Sequence, residues 1–353
     1  MKLLIVTPEI HRLGGVANHY LGLSSHWSSE IEYLFYGKRN NNTPSWLVLL
    51  LYPFDFIKYL WKLLFGKIDV VILNPSLRKK QIIRDSIFLI SAKLFRRPVV
   101  SFIHGFGWDY AKQLESNGKI FCWCFNKSMF IYTLYSEFEK ELRKIGIVCP
   151  ILLTTTKVSN EMLEGNRVIP KKHIVNILFV ARILKEKGIF ITLKAFASLK
   201  KSHPNLRLTV CGDGPELAKA KLFVQSNEVD DVIFRGNVTG QALANEYLMA
   251  DLYLLPTYQE GMATTVLEAM AFGLPIISRP VGGVVDFWKS GVMGYLVESF
   301  EPDDYVKIID CLIADPENVQ KISEFNIKFA QEHFLADKVT HRFENDIMRA
   351  LNK

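Results

Sequence analysis

The chain has 353 residues, of which 49% are hydrophobic and 22% are charged. Domains usually hold about 100 to 200 residues, so this length predicts two domains, each able to bury a core of its own. The ordinary globular composition excludes intrinsic disorder, collagen and coiled coil as the main class of structure.

Positive charge is concentrated in the first half of the chain. The whole chain carries a net charge of +7, whereas residues 38–97 alone hold 12 basic and 3 acidic side chains, a net charge of +9. A patch of one sign attracts an anionic ligand or surface; a merely solvated basic face is the alternative interpretation. Nucleic acid is not an expected partner, because neither a zinc finger nor a single-strand motif with interleaved aromatic residues occurs.

The cysteines and the apolar runs of the sequence indicate in which cellular compartment the protein is expected. The five cysteines form no C-x-x-C pair, which predicts reduced structural thiols and a cytoplasmic protein. The apolar run Leu3–Val6 is too short for the core of a signal peptide. The longest apolar stretch, Trp46–Phe65, is interrupted by Pro53 and by charged residues, so it is not expected to span a bilayer.

Short apolar runs alternate with helical patterns along the whole chain. In the first half the predicted strands are Leu3–Thr7, Ile31–Tyr36, Asp69–Leu73, Val99–His104 and Met129–Thr133. In the second half they are Asn176–Ala181, Leu206–Cys211, Val232–Arg235, Leu252–Leu255, Pro275–Ser278 and Gly294–Val297. Near-continuous apolar strands are typical of parallel sheets, and two blocks of strand–helix alternation predict an α/β protein with two doubly wound domains. The polar stretch Gly165–Lys172, which contains Gly165 and Pro170, predicts a boundary between domains 1–168 and 169–334, and the chain from Pro316 onward reads as helices with no further strand.

Candidate site residues in the first domain follow predicted strands, because open α/β sheets bind ligands beyond the carboxyl ends of their strands. Gly14 and Gly15 open a helix, where backbone N–H groups approach an anion closely; a plain tight turn is the alternative. His104 ends a strand and is followed by glycine, so it is placed to donate a hydrogen bond or assist a proton transfer.

The stretch from Trp46 to Phe65 has the composition of an interfacial helix, with aromatic bulk and with Asp55, Lys58 and Lys62 at helical spacing on one side. We therefore predict a surface that binds anionic lipid. An ordinary core helix is the alternative. The candidate residues of this surface are Trp46, Lys58, Trp61, Lys62, Arg78, Lys79 and Lys80.

Candidate residues in the second domain fall into two segments. Arg182 and Lys187 follow its first strand and are placed to reach one diphosphate, although a solvated loop pair is the simpler explanation when they are taken alone. Gly212-Asp213-Gly214 has only two of the three glycines of a dinucleotide motif, which disfavours a nicotinamide enzyme.

The segment from Glu260 to Glu268 is the strongest constellation. Glu260 lies in a strand-to-helix loop, the amides of Gly261, Met262, Ala263 and Thr264 lead into a helix, and Glu268 is expected in its first turn. Two carboxylates in this position can accept hydrogen bonds from sugar hydroxyls. The alternative is a capping box, Thr265-x-x-Glu268, which would make Glu268 purely structural.

Together these motifs resemble the retaining glycosyltransferases of family GT4. The resemblance rests on Ala181-Arg182…Lys187-Gly188, Gly212-Asp213-Gly214-Pro215 and Glu260-Gly261…Glu268-Ala269-Met270, with Gly14-Gly15 and His104-Gly105. It implies the GT-B fold, two Rossmann-like domains with the active site in the cleft between them, and a final helix, 335–353, that returns to the first domain. The family often has proline where this chain has Ala263.

The resemblance also implies roles for individual residues. Arg182 and Lys187 would neutralise the leaving diphosphate, with Gly14 and Gly15 completing its cradle. Glu268 would hold the ribose hydroxyls, and Val238 would contact the base. Glu260 would contact the donor sugar with the amides of Gly261, Met262, Ala263 and Thr264, and His104 would lie near the transferred sugar. No Asp-x-Asp motif occurs, and neither a cofactor nor a metal is expected.

The resulting expectation is a glycosyltransferase that is peripheral on the cytoplasmic face of the membrane. It would move a hexose-type sugar from a nucleotide diphosphate-sugar to a lipid-linked saccharide or another surface glycan, with retention of configuration. A soluble transferase acting on a small or protein acceptor and a non-catalytic nucleotide-sugar binding protein are the alternatives.

Overall fold

The computed structural model describes residues 1–12, 14–40 and 42–352, apart from the side chains of Ser45 and Leu49. The chain forms two compact units. Unit 1 is Met1–Lys157 with Ala336–Lys353, and unit 2 is Val158–Leu335. The polar stretch 165–172, expected as the boundary, lies inside unit 2 because Val158 pairs with Leu335 and Met162 is buried in the core of unit 2.

Unit 1 is an α/β unit whose strands are all parallel. Its strands are β1 (Lys2–Thr7), β2 (Glu30–Phe35), β3 (Val70–Leu73), β4 (Ser76–Leu77), β5 (Val99–Ile103), β6 (Gly105–Phe106), β7 (Phe130–Thr133) and β8 (Ile151–Leu153). Its first helices are α1 (Gly15–Leu23), α2 (Ser45–Phe65), α3 (Lys79–Leu94), α4 (Trp108–Asn117), α5 (Lys119–Phe125) and α6 (Ser136–Ile145). Six strands form one sheet in the order β2-β1-β3-β5-β7-β8, and β4 pairs separately with β6.

Unit 2 is a second α/β unit with a parallel sheet. Its strands are β9 (Asn176–Val180), β10 (Arg207–Cys211), β11 (Val232–Gly236), β12 (Leu252–Leu255), β13 (Ile276–Ser278) and β14 (Gly294–Leu296). Its helices are α7 (Ile189–Ser202), α8 (Leu217–Ser226), α9 (Gly240–Met249), α10 (Thr264–Ala271), α11 (Pro302–Ala314) and α12 (Pro316–His333). The sheet order is β11-β10-β9-β12-β13-β14, in which the strand order reverses between β9 and β12 as in Rossmann folds.

The last helix, α13 (Ala336–Leu351), completes the core of unit 1. The buried ring of Phe343 packs against Tyr132, with ring centroids 4.4 Å apart, and against Trp27 at 5.9 Å. The carboxylate of Glu344 accepts a hydrogen bond from the backbone N–H of Ser29 at 2.7 Å. Unit 1 is therefore built from both ends of the described chain.

The expected fold class, two doubly wound parallel α/β sheets, is confirmed. Each of the predicted strands is present to within one residue at either end. The patterns missed β4, β6 and β8, because strands of two or three residues are too short to produce a recognisable apolar run.

Candidate functional sites

The loops after β9 and β12 meet where the strand order of unit 2 reverses. The two strands are neighbours, with Tyr253 opposite Leu178 in the register. Since both strands run in the same direction, their carboxyl ends lie at one edge of the sheet. Open α/β sheets bind ligands at this point, so the residues that follow β9 and β12 form the candidate donor site.

Lys187 and Glu260, two of the predicted site residues, are in direct contact there. The Nζ atom of Lys187 lies 2.5 Å from Oε1 of Glu260, with 23% and 16% of the two side chains exposed. The buried hydroxyl of Thr257 donates to the same Oε1 at 3.1 Å. A backbone hydrogen bond from Tyr258 N to the carbonyl of Glu186, 2.7 Å long, ties the two loops together. The structure thus places a cation beside a carboxylate at the edge of the sheet.

Arg182 lies in the same loop as Lys187 but is exposed. Its guanidinium makes no ion pair or hydrogen bond to any residue that the structure describes. The loop carrying it packs closely on the loop after β10, because a Cβ on Gly212, whose φ is +138°, would lie 1.9 Å from the carbonyl oxygen of Ala181. The Gly212-Asp213-Gly214 motif is therefore required by the packing of one loop on the other, and it leaves the Arg182 side chain open to solvent.

Glu268 is held inside unit 2 by a tyrosine. It is 7% exposed, and its Oε2 accepts a hydrogen bond from the hydroxyl of Tyr247 at 2.9 Å. Burial, reinforced by Glu268, raises the pKa of Tyr247 well above its ordinary value, so Tyr247 stays protonated and remains a donor. The expected position in the first helical turn is wrong, because α10 begins at Thr264 and Glu268 is its fifth residue.

The capping-box alternative for Glu268 is also wrong. The N-cap position of α10 belongs to Ala263, and Thr265 lies inside the helix, where its hydroxyl accepts a hydrogen bond from Tyr253 at 2.7 Å. The φ of Ala263 is −73°, within the range that proline imposes, so alanine preserves the backbone shape that a proline would give at this point.

The amides that lead into α10 are held by a second glycine pair. The carbonyl of Gly261 accepts a hydrogen bond from Gly283 N at 2.7 Å, and a Cβ on Gly282 would lie 2.7 Å from the carbonyl oxygens of Glu260 and Gly261. Met262 is half-buried against the core of unit 2, and Thr264 is the first residue of the helix. The backbone of the loop is thus held in place by Gly282 and Gly283 in the absence of a ligand.

Val238, predicted to contact a base, lies apart from these residues in the sheet order. It follows β11, which is separated from β9 by β10, and it is half-buried against the core of unit 2.

In unit 1 the two predicted glycines open α1. Gly14 has a φ of +152°, which favours glycine, and it occupies the N-cap position without a side-chain cap. A Cβ on Gly15 would meet no heavy atom within 4 Å. Packing within the protein therefore does not require glycine at position 15, whereas close approach of a ligand to the backbone would.

His104, directly after β5, is half-buried and close to a second histidine. Its Nε2 lies 2.9 Å from Oδ1 of Asn74. Burial, with a smaller contribution from His19, holds the pKa of His104 well below its ordinary value. A neutral imidazole is therefore the form present at neutral pH.

Helix α2 has a buried face and an exposed apolar face. Tyr59, Leu63 and Asp55 are fully buried, and Asp55 accepts the N–H of Gly37 at 3.0 Å and pairs with Arg39. Asp55 shares its helical spacing with Lys58 and Lys62 but, unlike Lys58, is buried, because its carboxylate caps the loop after β2. Within the part of the chain that the structure describes, no helix is both long and apolar enough to cross a bilayer.

The opposite face of α2 presents a continuous apolar stripe, and each of its side chains is more than half exposed. At 100° per residue they lie within an arc of about 100°. The members of this α2 stripe are Trp46, Leu50, Phe54, Ile57, Trp61, Leu64 and Phe65. On the neighbouring helix α3, Ile83, Ile87 and Leu94 are also more than half exposed.

Most of the basic side chains of residues 38–97 have no acidic partner within the described ranges. Arg39, Lys62 and Arg84 are paired with Asp55, Glu32 and Asp85, respectively. The other nine of the twelve basic residues in 38–97 form no ion pair within the described ranges; among them are the exposed Lys58, Arg78, Lys79 and Lys80. Lys79 and Lys80 stand in the first turn of α3, where the helix dipole disfavours cations. A bound anion would relieve that repulsion.

Comparison with known proteins identifies the family. Residues 166–329 match the family model described as glycosyl transferases group 1. Lipopolysaccharide 1,2-N-acetylglucosaminetransferase of Salmonella typhimurium is 29% identical over 187 residues, 50% of this chain and 49% of that protein. Alpha-monoglucosyldiacylglycerol synthase of Streptococcus pneumoniae is 32% identical over 178 residues, 50% of this chain and 40% of that protein. The chain thus spans about half or less of the length of these curated relatives.

A solved structure matches the chain over its full length. The crystal structure of Anabaena Alr3699/HepE in complex with UDP and glucose has a TM-score of 0.72 and 15% identity, covering 99% of this chain and 100% of that one. At such identity the likeness concerns the fold. The family match assigns residues 166–329, most of unit 2, to the glycosyl transferases group 1 family, GT4, and the likeness over both units shows the GT-B fold.

Proposed function

We propose that the protein is a retaining glycosyltransferase that moves a hexose-type sugar from a UDP-sugar to an acceptor. The observation that carries the proposal is the contact between Lys187 and Glu260 at the reversal point of the unit 2 sheet. UDP as the nucleotide is supported by the Anabaena fold relative, whose structure holds UDP and glucose.

The chemistry follows from where charge develops. When the bond between sugar and diphosphate breaks, negative charge grows on the diphosphate. Arg182 and Lys187 supply cations from the loop after β9, and the amides of Gly261 to Thr264 supply N–H groups at the start of α10. Fixed donors of this kind stabilise a transition state without reorganising. The proposal needs no metal ion, because these groups provide the positive charge.

The remaining predicted residues have binding roles in this proposal. Glu268, oriented by Tyr247, accepts hydrogen bonds from the ribose hydroxyls, and Glu260 accepts one from the donor sugar. Val238 contacts the base. Gly14 and Gly15 offer backbone N–H groups to the diphosphate, and His104 contacts the transferred sugar.

Hydrolysis of donor tests the enzyme assignment. UDP-glucose, UDP-galactose and UDP-N-acetylglucosamine are incubated with wild type, with Lys187→Ala and with the matched control Lys185→Ala, which removes an exposed lysine of the same short turn. We expect release of UDP from at least one donor, abolished by Lys187→Ala and retained by the control. Equal rates in Lys187→Ala and wild type, or binding of a donor without any turnover in wild type, would refute the proposal.

The acceptor is proposed to be lipid-linked, with the protein bound peripherally at the cytoplasmic face of the membrane. The α2 stripe supports this, because it combines exposed aromatic and aliphatic bulk with unpaired cations nearby, the composition of an interfacial helix. The cations at the start of α3 suit the phosphates of a polyprenyl-diphosphate-linked saccharide. The pneumococcal relative is named for synthesis of a glucolipid, which favours a lipid acceptor over a small soluble one.

Liposome sedimentation tests the membrane assignment. The double variant Phe54→Ser/Ile57→Ser removes two side chains that are 63% and 62% exposed. The control Leu222→Ser/Met249→Ser removes two that are 60% and 54% exposed in unit 2. We expect wild type and control to sediment with anionic vesicles at low salt and the α2 variant to stay in the supernatant. Absence of wild-type binding to anionic vesicles would remove the proposal.

A further inference from the structure

The loops after β3 and β5 in unit 1 stay paired beyond the main sheet. Ser76 stands opposite Gly105 in the short β4–β6 pair, and the N–H of His104 donates to the carbonyl of Pro75 at 3.2 Å. These backbone contacts place the side chains of Asn74 and His104 next to each other. Asn74 is 4% exposed, so its amide must be satisfied by protein groups.

The orientation of the Asn74 amide is fixed by the end of β1. Its Nδ2 lies 3.0 Å from the carbonyl oxygen of Val6, and a carbonyl only accepts hydrogen bonds. Nδ2 is therefore the atom that faces Val6, and Oδ1 faces the other way. There Oδ1 accepts the hydroxyl of Tyr20 at 2.7 Å and lies 2.9 Å from Nε2 of His104.

This orientation determines which nitrogen of His104 carries the proton. An amide oxygen has no proton to give, so the contact with Nε2 is a hydrogen bond only when Nε2 is protonated. The neutral ring has one proton, and it is then absent from Nδ1. Among the described residues Nδ1 has no hydrogen-bond partner, and it does not belong to the buried unpaired atoms, unlike both ring nitrogens of His19.

The surroundings of His104 disfavour a charged ring. The ring centroid of His104 lies 3.6 Å from that of Phe102 and 5.3 Å from that of His19. Both of these neighbours are buried, and His19 is itself held neutral, since burial and the charge of Lys157 lower its pKa to about 3. Facing groups therefore supply no negative charge that would favour an imidazolium.

We propose that Asn74 is a positioning residue, which holds His104 as the Nε2–H tautomer so that Nδ1 accepts a hydrogen bond from a hydroxyl of the transferred sugar. His104 is then an acceptor and not a general acid. The tautomer rests on the geometry of unit 1 alone, whereas the contact with the sugar rests on the proposed function.

Nitrogen NMR of the unliganded protein tests the tautomer. With ¹⁵N-labelled histidine, two-bond correlations between ring nitrogens and ring protons distinguish Nδ1 from Nε2, and His104→Gln assigns the signals. At neutral pH we expect a protonated Nε2 and a bare Nδ1 in wild type. Asn74→Ala should populate the other tautomer. Asn74→Asp keeps an acceptor oxygen at Nε2 and adds a negative charge, so it should keep the proton on Nε2 and shift the ring toward the charged form.

A matched variant controls for general loss of structure. Asn126 also uses its amide to hold backbone, accepting the N–H of Val148 at 2.7 Å and donating to the carbonyl of Gly146 at 3.2 Å. Asn126→Ala should leave the His104 signals unchanged. A wild-type spectrum with the proton on Nδ1, or a charged ring at neutral pH, would overturn the inference even if Asn74→Ala does not fold.

Turnover separates the two parts of the proposal. For whichever of the three UDP-sugars wild type hydrolyses fastest, we expect Asn74→Ala to lower kcat about tenfold or more, with Asn126→Ala close to wild type. If the tautomer shifts in Asn74→Ala and kcat does not fall, the contact of His104 with the sugar is wrong and the positioning of the ring stands. If the tautomer does not shift, the positioning role is wrong whatever the rate.

Discussion

The contact between Lys187 and Glu260 predicts that Glu260→Gln has opposite effects on UDP and on UDP-sugars. Without ligand, the Lys187 ammonium is held 2.5 Å from a carboxylate. A diphosphate that uses Lys187 has to compete with that carboxylate. Glutamine keeps the shape of the side chain and removes its charge. The diphosphate of UDP then no longer competes with a carboxylate for Lys187, so UDP should bind more tightly.

The size of the effect follows from the burial of the pair. Fully exposed ion pairs contribute about 0.2 to 1 kcal/mol, whereas removing one partner of a fully buried pair costs about 3 to 5 kcal/mol. The two side chains are 23% and 16% exposed, and Thr257 shares the carboxylate, which places this pair near the upper end of the exposed range. A gain of about 1 kcal/mol corresponds to a Kd for UDP that is about fivefold lower.

Isothermal titration calorimetry with UDP, at low and at high salt, measures this shift. Glu260→Gln should bind UDP more tightly but should hydrolyse the preferred UDP-sugar more slowly, because a contact with the sugar is altered. The control Thr257→Val removes the neutral hydrogen bond and keeps the charge, so its Kd for UDP should stay near that of wild type. Unchanged or weaker UDP binding by Glu260→Gln would refute the idea that the diphosphate and Glu260 share Lys187.

Three further predictions follow from the same structure. Gly15→Ala should leave the melting temperature unchanged, since its Cβ meets no neighbour, but should weaken UDP-sugar binding; equal affinity would show that the Gly15 backbone contacts no ligand. His19 stays neutral to about pH 3 when folded, so below about pH 6.5 only the unfolded chain takes up its proton, and the free energy of unfolding should fall by about 1.4 kcal/mol per pH unit from this group. His19→Phe should remove about that slope from the free energy of unfolding measured by urea titration at each pH, and an unchanged slope would contradict the assignment. Prolonged treatment with EDTA should leave UDP-sugar hydrolysis unaffected, and a loss restored by Mg²⁺ or Mn²⁺ would contradict the proposed charge neutralisation by Arg182 and Lys187.

Much of the fold was predictable because buried parallel strands appear in the sequence as uninterrupted apolar runs. Strand β12, four consecutive buried residues, reads as an uninterrupted apolar run, since a strand covered on both faces has no polar alternation. The β4–β6 pair has no such signal. It forms because the chain segments after two neighbouring strands remain side by side, which is a consequence of the strand order and is not contained in either segment.

The site was predictable in part for the same reason. Lys187 and Glu260 each follow a strand, which marks them as candidates, but their contact depends on β9 and β12 being neighbours across the reversal of the sheet order. Tyr247, which orients Glu268, reads as an ordinary apolar member of a helix, because its hydroxyl partner lies 21 residues further along the chain. Asn74 directly follows β3, as His104 directly follows β5, and this shared position is the feature of the sequence that indicates Asn74.

The return of α13 to unit 1 constrains the order in which the protein acquires its structure during synthesis. Phe343 fills a pocket bordered by Trp27, Phe102 and Tyr132, and it leaves the ribosome after all of unit 2. Unit 2 is continuous in sequence and can fold first, whereas the core of unit 1 is incomplete until α13 has been synthesised. A chain that is truncated after Leu335 and released from the ribosome should therefore protect unit 2 from protease and leave unit 1 sensitive.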